Sequence, residues 1–378
     1  MLWNHMFVSP QGQFKPCCRF KMAESIDGTH FSQIFLGERW SKIRHQMSLD
    51  QPVEGCQRCY QEEEAGKKSL RQRYNQLPDI GLQASNLDDP QILWLEIPFS
   101  NRCNLACRMC DSRYSTRWIQ DEKKWLGHTL GSERVLEFDW ESFETIVDSL
   151  KHVKVTGGEP LMDPNHKRFL RLLGQKGKPQ QVYLNYSTNL TLFPDEEVLE
   201  SWASFQRVEL ALSLDSCFEN ELHYIRYPTD GSKALENLAR FMKLVNKMDN
   251  LSLILRSTVS LLNIYSMPET LLYWNQLKSE LVEKDCQDRV IENPTHLTYP
   301  EYLAPNVLPP QKRLKVVEHF KSFENHSDTE LAKHLPYLQS IMEGEDGSHL
   351  YPKFLEMTQK LDKIRDQDFR KVFPFLAH

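Results

Sequence analysis

Short apolar runs alternate with longer amphipathic stretches through the middle of the chain. Six runs are candidate strands: Ile92–Phe99, Val153–Thr156, Val182–Tyr186, Val208–Leu214, Leu251–Val259 and the short Arg289–Glu292. Helical patterns lie between them: Thr116–Trp125, His166–Leu173, Glu196–Phe205, Leu235–Met248 and Pro268–Ser279. Strands that alternate with helices predict βαβ units and a parallel sheet. Such units are right-handed, so we expect an α/β fold that curls into a full or partial barrel.

This alternation divides the chain into three predicted domains. Residues 1–80 carry four cysteines and form a small module, residues 81–308 form the barrel, and residues 309–378 form a helical extension. Within the module and its border, residues 76–90 are polar and contain Pro78, Gly81 and Pro90, which is typical of a linker. The extension shows three helical patterns: Leu314–Phe323, Thr329–Met342 and Phe354–Phe373.

Composition narrows the function classes only slightly. The net charge is −6, which gives no general reason to bind nucleic acid or a membrane surface. No apolar run approaches the ~18–20 residues that span a bilayer, and Met1–Pro10 does not resemble a secretory signal. We therefore expect a cytoplasmic protein. Seven of its nine cysteines precede residue 111 in three tight groups, and in that compartment such groups favour metal or redox chemistry over disulfides.

The most specific of these groups is Cys103, Cys107 and Cys110, with the spacing C-x3-C-x2-C. It directly follows a predicted strand, at the end where α/β proteins assemble their sites. Three thiolates on one loop can hold three irons of a [4Fe–4S] cluster and leave the fourth iron for another ligand. Structural zinc, which needs a fourth protein ligand, and free thiols are the alternatives.

The loop resembles that of the radical SAM superfamily, and the resemblance covers Ile92 to about Pro309. It implies a partial (β/α)6 TIM-like barrel, a [4Fe–4S] cluster and S-adenosylmethionine as cofactors. Thr156-Gly157-Gly158-Glu159-Pro160 looks like the glycine-rich motif of that family, in which backbone and carboxylate receive the methionine ammonium. Glycines permit the close backbone approach this requires. A simple turn at the strand exit is the alternative.

The resemblance also implies cofactor contacts at later strand ends. The corresponding residues are Thr188, Asn189, Ser213, Asp215, Arg256 and Thr258. Helix N-capping explains the serine, threonine, asparagine and aspartate equally simply, and Arg256 could be structural. Met109 stands where the family usually has an aromatic residue against adenine, and its thioether can make a similar ring contact.

The other early cysteines, Cys17, Cys18, Cys56 and Cys59, resemble the auxiliary-cluster modules called SPASM or twitch, which normally follow the barrel. The resemblance implies an auxiliary iron–sulfur cluster, with structural zinc as the alternative. Adjacent cysteines seldom reach one cluster together, so His5 is an alternative ligand.

Taken together, we expect a radical SAM oxidoreductase that abstracts hydrogen from a substrate and performs a net oxidation or cross-link of a peptide. A flavodoxin or ferredoxin would donate the electron. A small-molecule, nucleotide or RNA substrate is the first alternative, and a non-enzymatic zinc-binding protein is the second. Cys217, two residues past Asp215, is a candidate hydrogen-atom donor, although most free cysteines are small buried apolar residues.

Overall fold

The computed structural model describes residues 1–21, 30–78, 80–81, 87–135 and 139–377. Residues 79 and 82–86, which belong to the predicted linker, lie outside the described residues. The chain forms two compact units. The first consists of Met1–Arg102, Glu133–Tyr186 and Pro194–Glu209, and the second of Cys103–Ser132, Ser187–Phe193 and Leu210–His378.

Most strands belong to one sheet in which parallel pairing dominates. The strands are β1 His5–Val8, β2 Phe14–Lys15, β3 Trp94–Pro98, β4 His152–Thr156, β5 Tyr183–Thr188, β6 Arg207–Leu212, β7 Leu251–Leu255, β8 Thr258–Val259, β9 Val290–Glu292 and β10 Thr295–His296. The order in the eight-stranded sheet is β2-β1-β3-β4-β5-β6-β7-β9, and β8 pairs with β10 separately. The pairs β1–β3, β3–β4, β4–β5 and β7–β9 are parallel. The described sheet is open at β2 and β9, as in a partial barrel.

All six predicted strands have a counterpart in this structure, which confirms the predicted α/β class. The fifth prediction, Leu251–Val259, is wrong in one respect. Its strand stops after Leu255, and Thr258–Val259 forms the separate strand β8. The first strand, β1, was not predicted, and it pairs in parallel with β3 from His5 opposite Trp94 to Phe7 opposite Glu96. The cysteine-bearing segment therefore adds a strand to the sheet.

Helices form a large part of the remaining described chain. They are α1 Phe31–Leu36, α2 Glu38–Ser48, α3 Gln57–Glu64, α4 Leu70–Asn75, α5 Trp118–Leu126, α6 Trp140–Glu144, α7 Pro164–Lys176, α8 Glu196–Ala203, α9 Glu219–Ile225, α10 Gly231–Val245, α11 Met267–Leu281, α12 Pro310–Lys321, α13 Thr329–Glu343, α14 Tyr351–Arg365, α15 Phe369–Val372 and α16 Pro374–Ala377. The predicted helix Phe354–Phe373 is wrong, because Asp366 adopts a left-handed φ of 53° and ends α14. Asp368 then caps α15.

Each unit has its own apolar core. In the first unit, Leu95 and Ile97 of β3 and Val153 and Val155 of β4 are fully buried. In the second unit, α10 packs against β7 and α11, and the buried residues include Phe241, Leu253 and Trp274. Burying such side chains contributes about 1.5–3 kcal/mol each, enough to hold the strand ends that carry the site. Among the described helices, none is long and apolar enough to cross a bilayer.

Candidate active site

Backbone hydrogen bonds anchor the cysteine loop, named here for Cys103, Cys107 and Cys110, which lies between β3 and α5. The Cys103 amide donates to Thr116 Oγ1 at 3.4 Å, and the Cys110 amide donates to the Cys107 carbonyl at 2.9 Å. The Trp118 indole donates to the same Cys107 carbonyl at 2.9 Å. All three cysteines are partly exposed. The fold thus fixes the path of the loop through its main chain, and Cys110 also packs against the apolar cluster of Ala106, Trp118 and Leu361.

A buried cation lies beside the middle cysteine of the loop. Arg226 Nη1 lies 3.9 Å from Cys107 Sγ, and Arg226 Nε lies 2.8 Å from Asp215 Oδ2. Burial raises the pKa of Cys107, while the charges of Arg226 and Arg365 oppose that rise. Burial also raises the pKa of Cys110 well above its ordinary value. Since thiolates are the ligand form, a metal that binds here must displace these protons, with Arg226 assisting at Cys107.

An asparagine at the end of β5 contacts the first cysteine. Asn189 Nδ2 lies 3.6 Å from Cys103 Sγ and donates to Asn104 Oδ1 at 3.0 Å. Asn104 in turn donates to Thr191 Oγ1 at 2.9 Å. The predicted residue Thr188 is buried just before this turn. Hydrogen bonds to the sulfurs of an iron–sulfur cluster tune its reduction potential. Asn189 beside Cys103 and Arg226 beside Cys107 are donors of this kind, so both fit a cluster-binding site.

Two further predicted residues meet at the ends of neighbouring strands. Asp215 is fully buried, and its Oδ1 accepts a hydrogen bond from the Thr258 amide at 2.8 Å. Its other oxygen contacts Arg226. Both carboxylate oxygens therefore have protein partners, which differs from a free acceptor for ribose hydroxyls. Ser213 and Arg256 are half-buried at the same strand ends.

Close backbone approach explains both glycines of the glycine-rich motif. Gly157 has a φ of 110°, which side chains rarely adopt. A Cβ at Gly158 would lie 1.9 Å from the Arg102 carbonyl oxygen. The Gly158 amide donates to the Ser100 carbonyl at 3.1 Å. The motif is thus shaped to fit against the backbone that leads into Cys103.

The acid of the motif is deeply buried. Glu159 is 2% exposed and accepts from the Leu161 amide at 3.2 Å, while its own amide donates to the Arg102 carbonyl at 2.8 Å. It caps a short 3-10 turn that begins at the buried Pro160. The Glu159 carboxylate therefore stabilises this turn, a role that was not predicted from the sequence. Its contact with the methionine ammonium stays a prediction.

The remaining two candidates have different surroundings. Cys217 is half-buried, and its amide donates to Thr270 Oγ1 at 3.2 Å. Burial raises the pKa of Cys217 to about 11, and the charges of Glu221 and Glu269 add to that effect. These described neighbours lie on α9 and α11 and not on the cysteine loop. Met109 is half-buried within the loop.

The donor set of the cysteine loop decides which metal group it fits. Among the described residues, the one group of three or more potential ligand atoms within 4.8 Å of each other is Glu283, Asp285 and Cys286. No set of four protein ligands that a structural zinc ion needs is therefore gathered within that distance at the loop, among the described residues. Three cysteines without a fourth protein ligand are the donor set that fits a [4Fe–4S] cluster with one open iron.

The N-terminal cysteines surround a separate cavity in the first unit. A small open cavity of about 50 Å³ is lined by residues that include Cys17, Cys56, Cys59 and Arg71. Burial raises the pKa of Cys17 to about 12 and that of Cys56 to about 11, and neighbouring thiols contribute to both shifts. Three of the four predicted ligands are thus brought together.

Cys18 and His5 do not belong to this cavity among the described residues. Cys18 is exposed. His5 is buried, with Nδ1 2.8 Å from the Pro16 carbonyl oxygen and Nε2 3.2 Å from Glu96 Oε1. Burial alone would raise the pKa of Glu96, but His5 and Lys154 outweigh it and lower that pKa to about 2. The His5 ring therefore orients the Pro16 turn and is not placed as a ligand.

Comparison with known families agrees with this geometry. Residues 97–261 match the family model of the radical SAM superfamily, and residues 1–60 match that of SPASM, an iron–sulfur cluster-binding domain. The chain therefore contains a radical SAM region over residues 97–261. In addition, it carries a SPASM domain ahead of the radical SAM region, as the cysteine spacing predicted. These families imply a [4Fe–4S] cluster, S-adenosylmethionine and auxiliary iron–sulfur binding.

Several solved structures show low similarity to the chain. Histidine-tagged anSMEcpe with bound AdoMet is 19% identical over 61% of this chain and 61% of that chain, with a TM-score of 0.40. SuiB of Streptococcus suis bound to S-adenosylmethionine is 13% identical over 61% and 44%, with a TM-score of 0.34. TYW1 with a lysine-pyruvate adduct is 12% identical over 77% and 90%, with a TM-score of 0.37. The chain thus spans about three fifths of the first and less than half of the second. No curated protein sequence matches it.

Proposed function

We propose that the chain reductively cleaves S-adenosylmethionine and abstracts hydrogen from a substrate, at a site built on Cys103, Cys107 and Cys110. The observation that carries this proposal is the cysteine loop itself. It offers three spaced sulfurs, and Arg226 and Asn189 donate toward two of them. When bound there, a [4Fe–4S] cluster with one open iron supplies the electron that breaks a carbon–sulfur bond and yields a 5′-deoxyadenosyl radical.

The residues of the chain have distinct proposed tasks. Arg226 stabilises the Cys107 thiolate, and Asp215 holds Arg226 in place through the 2.8 Å ion pair. We propose that the backbone of Gly157 and Gly158, with Glu159, receives the methionine end of the cofactor. The remaining cofactor contacts that we propose are Met109, Pro160, Thr188, Asn189, Ser213, Arg256 and Thr258.

The N-terminal cavity supports a second proposed task. An auxiliary cluster on Cys17, Cys56 and Cys59 would take up the electron that leaves a substrate radical as the substrate also loses a proton. That outcome is a net oxidation or cross-link. The match to SPASM, an iron–sulfur cluster-binding domain, over residues 1–60 supports this proposal. We propose a peptide as the substrate on the family resemblance alone. A flavodoxin or ferredoxin is the proposed electron donor.

Anaerobic reconstitution tests the proposal. The wild-type chain, a variant with Cys103, Cys107 and Cys110 changed to alanine, and a Cys286→Ala control would be assayed for iron, sulfide and released 5′-deoxyadenosine. Cys286 is a buried cysteine whose sulfur accepts from Arg289, so it controls for loss of a thiol elsewhere.

We expect the triple variant to release no 5′-deoxyadenosine while it keeps the iron of the N-terminal site. The control should match wild type. Release by the triple variant, or zinc without iron and sulfide in the wild-type chain, would overturn the proposal.

A further inference from the structure

The end of α14 carries a buried guanidinium with unused donors. Arg365 is 6% exposed, and its Nε donates to Asp121 Oδ2 at 2.9 Å. Its central carbon lies 4.5 Å from the centre of the Trp118 ring and 4.7 Å from that of Tyr227. Within the part of the chain that the structure describes, Nη1 and Nη2 have no hydrogen-bond partner. Buried donors without acceptors are destabilising, so this arrangement calls for an explanation.

Both residues whose rings contact Arg365 are hydrogen-bonded to the cysteine loop. Trp118 donates its indole N–H to the Cys107 carbonyl at 2.9 Å, and the Tyr227 carbonyl accepts from the Ala106 amide. Leu361, one turn earlier on α14, packs with Ala106 and Trp118 in one apolar cluster. The helical extension thus forms a wall directly behind the loop, and Arg365 is the cation in that wall.

The charge of Arg365 lies close to the cysteine loop. Its guanidinium contacts the ring of Trp118, whose indole donates to the Cys107 carbonyl. Burial lowers the pKa of Arg365 itself to about 10, with Arg108 adding to the effect and Asp121 opposing it. The guanidinium therefore stays charged at neutral pH. In a buried setting such a charge is screened little by salt and acts over several ångströms.

We propose that Arg365 sets the reduction potential of the cluster on the cysteine loop by placing a buried positive charge against Trp118, the residue that donates to the Cys107 carbonyl. The proposal rests on the proposed function. A nearby positive charge stabilises the cluster more in its reduced form, which carries one more electron, and so raises the potential. The negative charge of a bound cluster would balance the charge of a guanidinium whose Nη1 and Nη2 have no described hydrogen-bond partner.

Potentiometric titration followed by EPR tests this without turnover or S-adenosylmethionine. The main variant is Arg365→Gln, and Arg365→Lys keeps the charge. Lys363→Gln removes an equal charge from an exposed position on the same helix, so it is the matched control. Asp121→Asn removes the carboxylate that pairs with Arg365, so it should raise the reduction potential, whereas Arg365→Gln should lower it.

We expect Arg365→Gln to shift the ratio of reduced to oxidised cluster at a fixed potential on the order of tenfold toward the oxidised form. That shift equals about 59 mV for a one-electron couple. Lys363→Gln should titrate like wild type, Arg365→Lys close to it, and Asp121→Asn at a higher potential.

An Arg365→Gln potential equal to that of Lys363→Gln would overturn the inference alone. Should Arg365→Gln fail to hold a cluster, Asp121→Asn decides, and an unshifted potential there overturns the inference. A wild-type chain with no reducible cluster would overturn the proposed function as well, so the two failures are distinguishable.

Discussion

Adding one methyl group at two glycines of the first unit should change stability in opposite directions. At Gly158 a Cβ would lie 1.9 Å from the Arg102 oxygen and 2.4 Å from its carbonyl carbon, whereas real Cβ contacts stay beyond 3.0 Å. The motif would have to move by about 1.1 Å, against backbone atoms that cannot rotate away. At Gly174, on the exposed face of α7, the same methyl meets nothing within 4 Å.

The magnitude follows from the contacts at each position. Overpacking costs about 1–3 kcal/mol, and the displaced motif would weaken two hydrogen bonds worth about 1 kcal/mol each. These are the Gly158–Ser100 bond of 3.1 Å and the Glu159–Arg102 bond of 2.8 Å. We expect Gly158→Ala to lower the free energy of unfolding by about 2–4 kcal/mol. Gly174→Ala should raise it by about 0.5–1 kcal/mol, because alanine loses less backbone entropy in a helix.

Urea denaturation of the cluster-free chain, followed by tryptophan fluorescence, would measure both changes. The midpoint should fall for Gly158→Ala and rise slightly for Gly174→Ala. A Gly158→Ala variant as stable as wild type would refute the close packing of the motif against Arg102. So would a Gly174→Ala variant that loses as much stability as Gly158→Ala.

Three further predictions concern charges and thiols. Asp362→Asn breaks the buried ion pair with Arg108 and should cost about 3–5 kcal/mol, measured by the same denaturation. Glu96 has a pKa of about 2, below its ordinary 4.5, so its stabilisation of roughly 3 kcal/mol is present above pH 4.5 and is lost as the pH falls toward 2. Glu96→Gln should flatten that pH dependence, and an equally steep curve would contradict the assignment. Cys18→Ala should keep the N-terminal iron that Cys56→Ala loses, as counted in anaerobically reconstituted protein.

The strands β3 and β7 were predictable because burial on both faces favours apolar residues, whereas β4 and β5 show the alternation of a half-buried strand. Leu251–Leu255 is buried at every residue, and the run is visible without any partner. The strand β1 was not predictable, because its four residues begin with His5 and only the distant β3 explains its pairing. The break at Asp366 was also hidden, since a non-glycine left-handed residue leaves no pattern in the sequence.

Some residues of the candidate site could likewise be predicted from the sequence, and others could not. The three loop cysteines and the two glycines could be predicted from the sequence because each group has a characteristic local spacing. Arg226 and Arg365 do not, because each sits at the end of a helical stretch and looks like any surface cation until the fold brings it to Cys107. Asp215 was found as a polar strand end, but its partner Arg226 was not. Local motifs thus predict the candidate ligands, and long-range packing supplies the charges around them.

EPR spectroscopy of the reduced chain, with and without S-adenosylmethionine, tests most directly whether the cysteine loop holds a cluster with an open iron. A variant that lacks Cys17, Cys56 and Cys59 would leave the cysteine loop as the sole source of the signal. We predict an iron–sulfur signal whose g-values shift when S-adenosylmethionine binds the open iron. A spectrum that does not respond to saturating cofactor, or a loop that holds zinc, would contradict it.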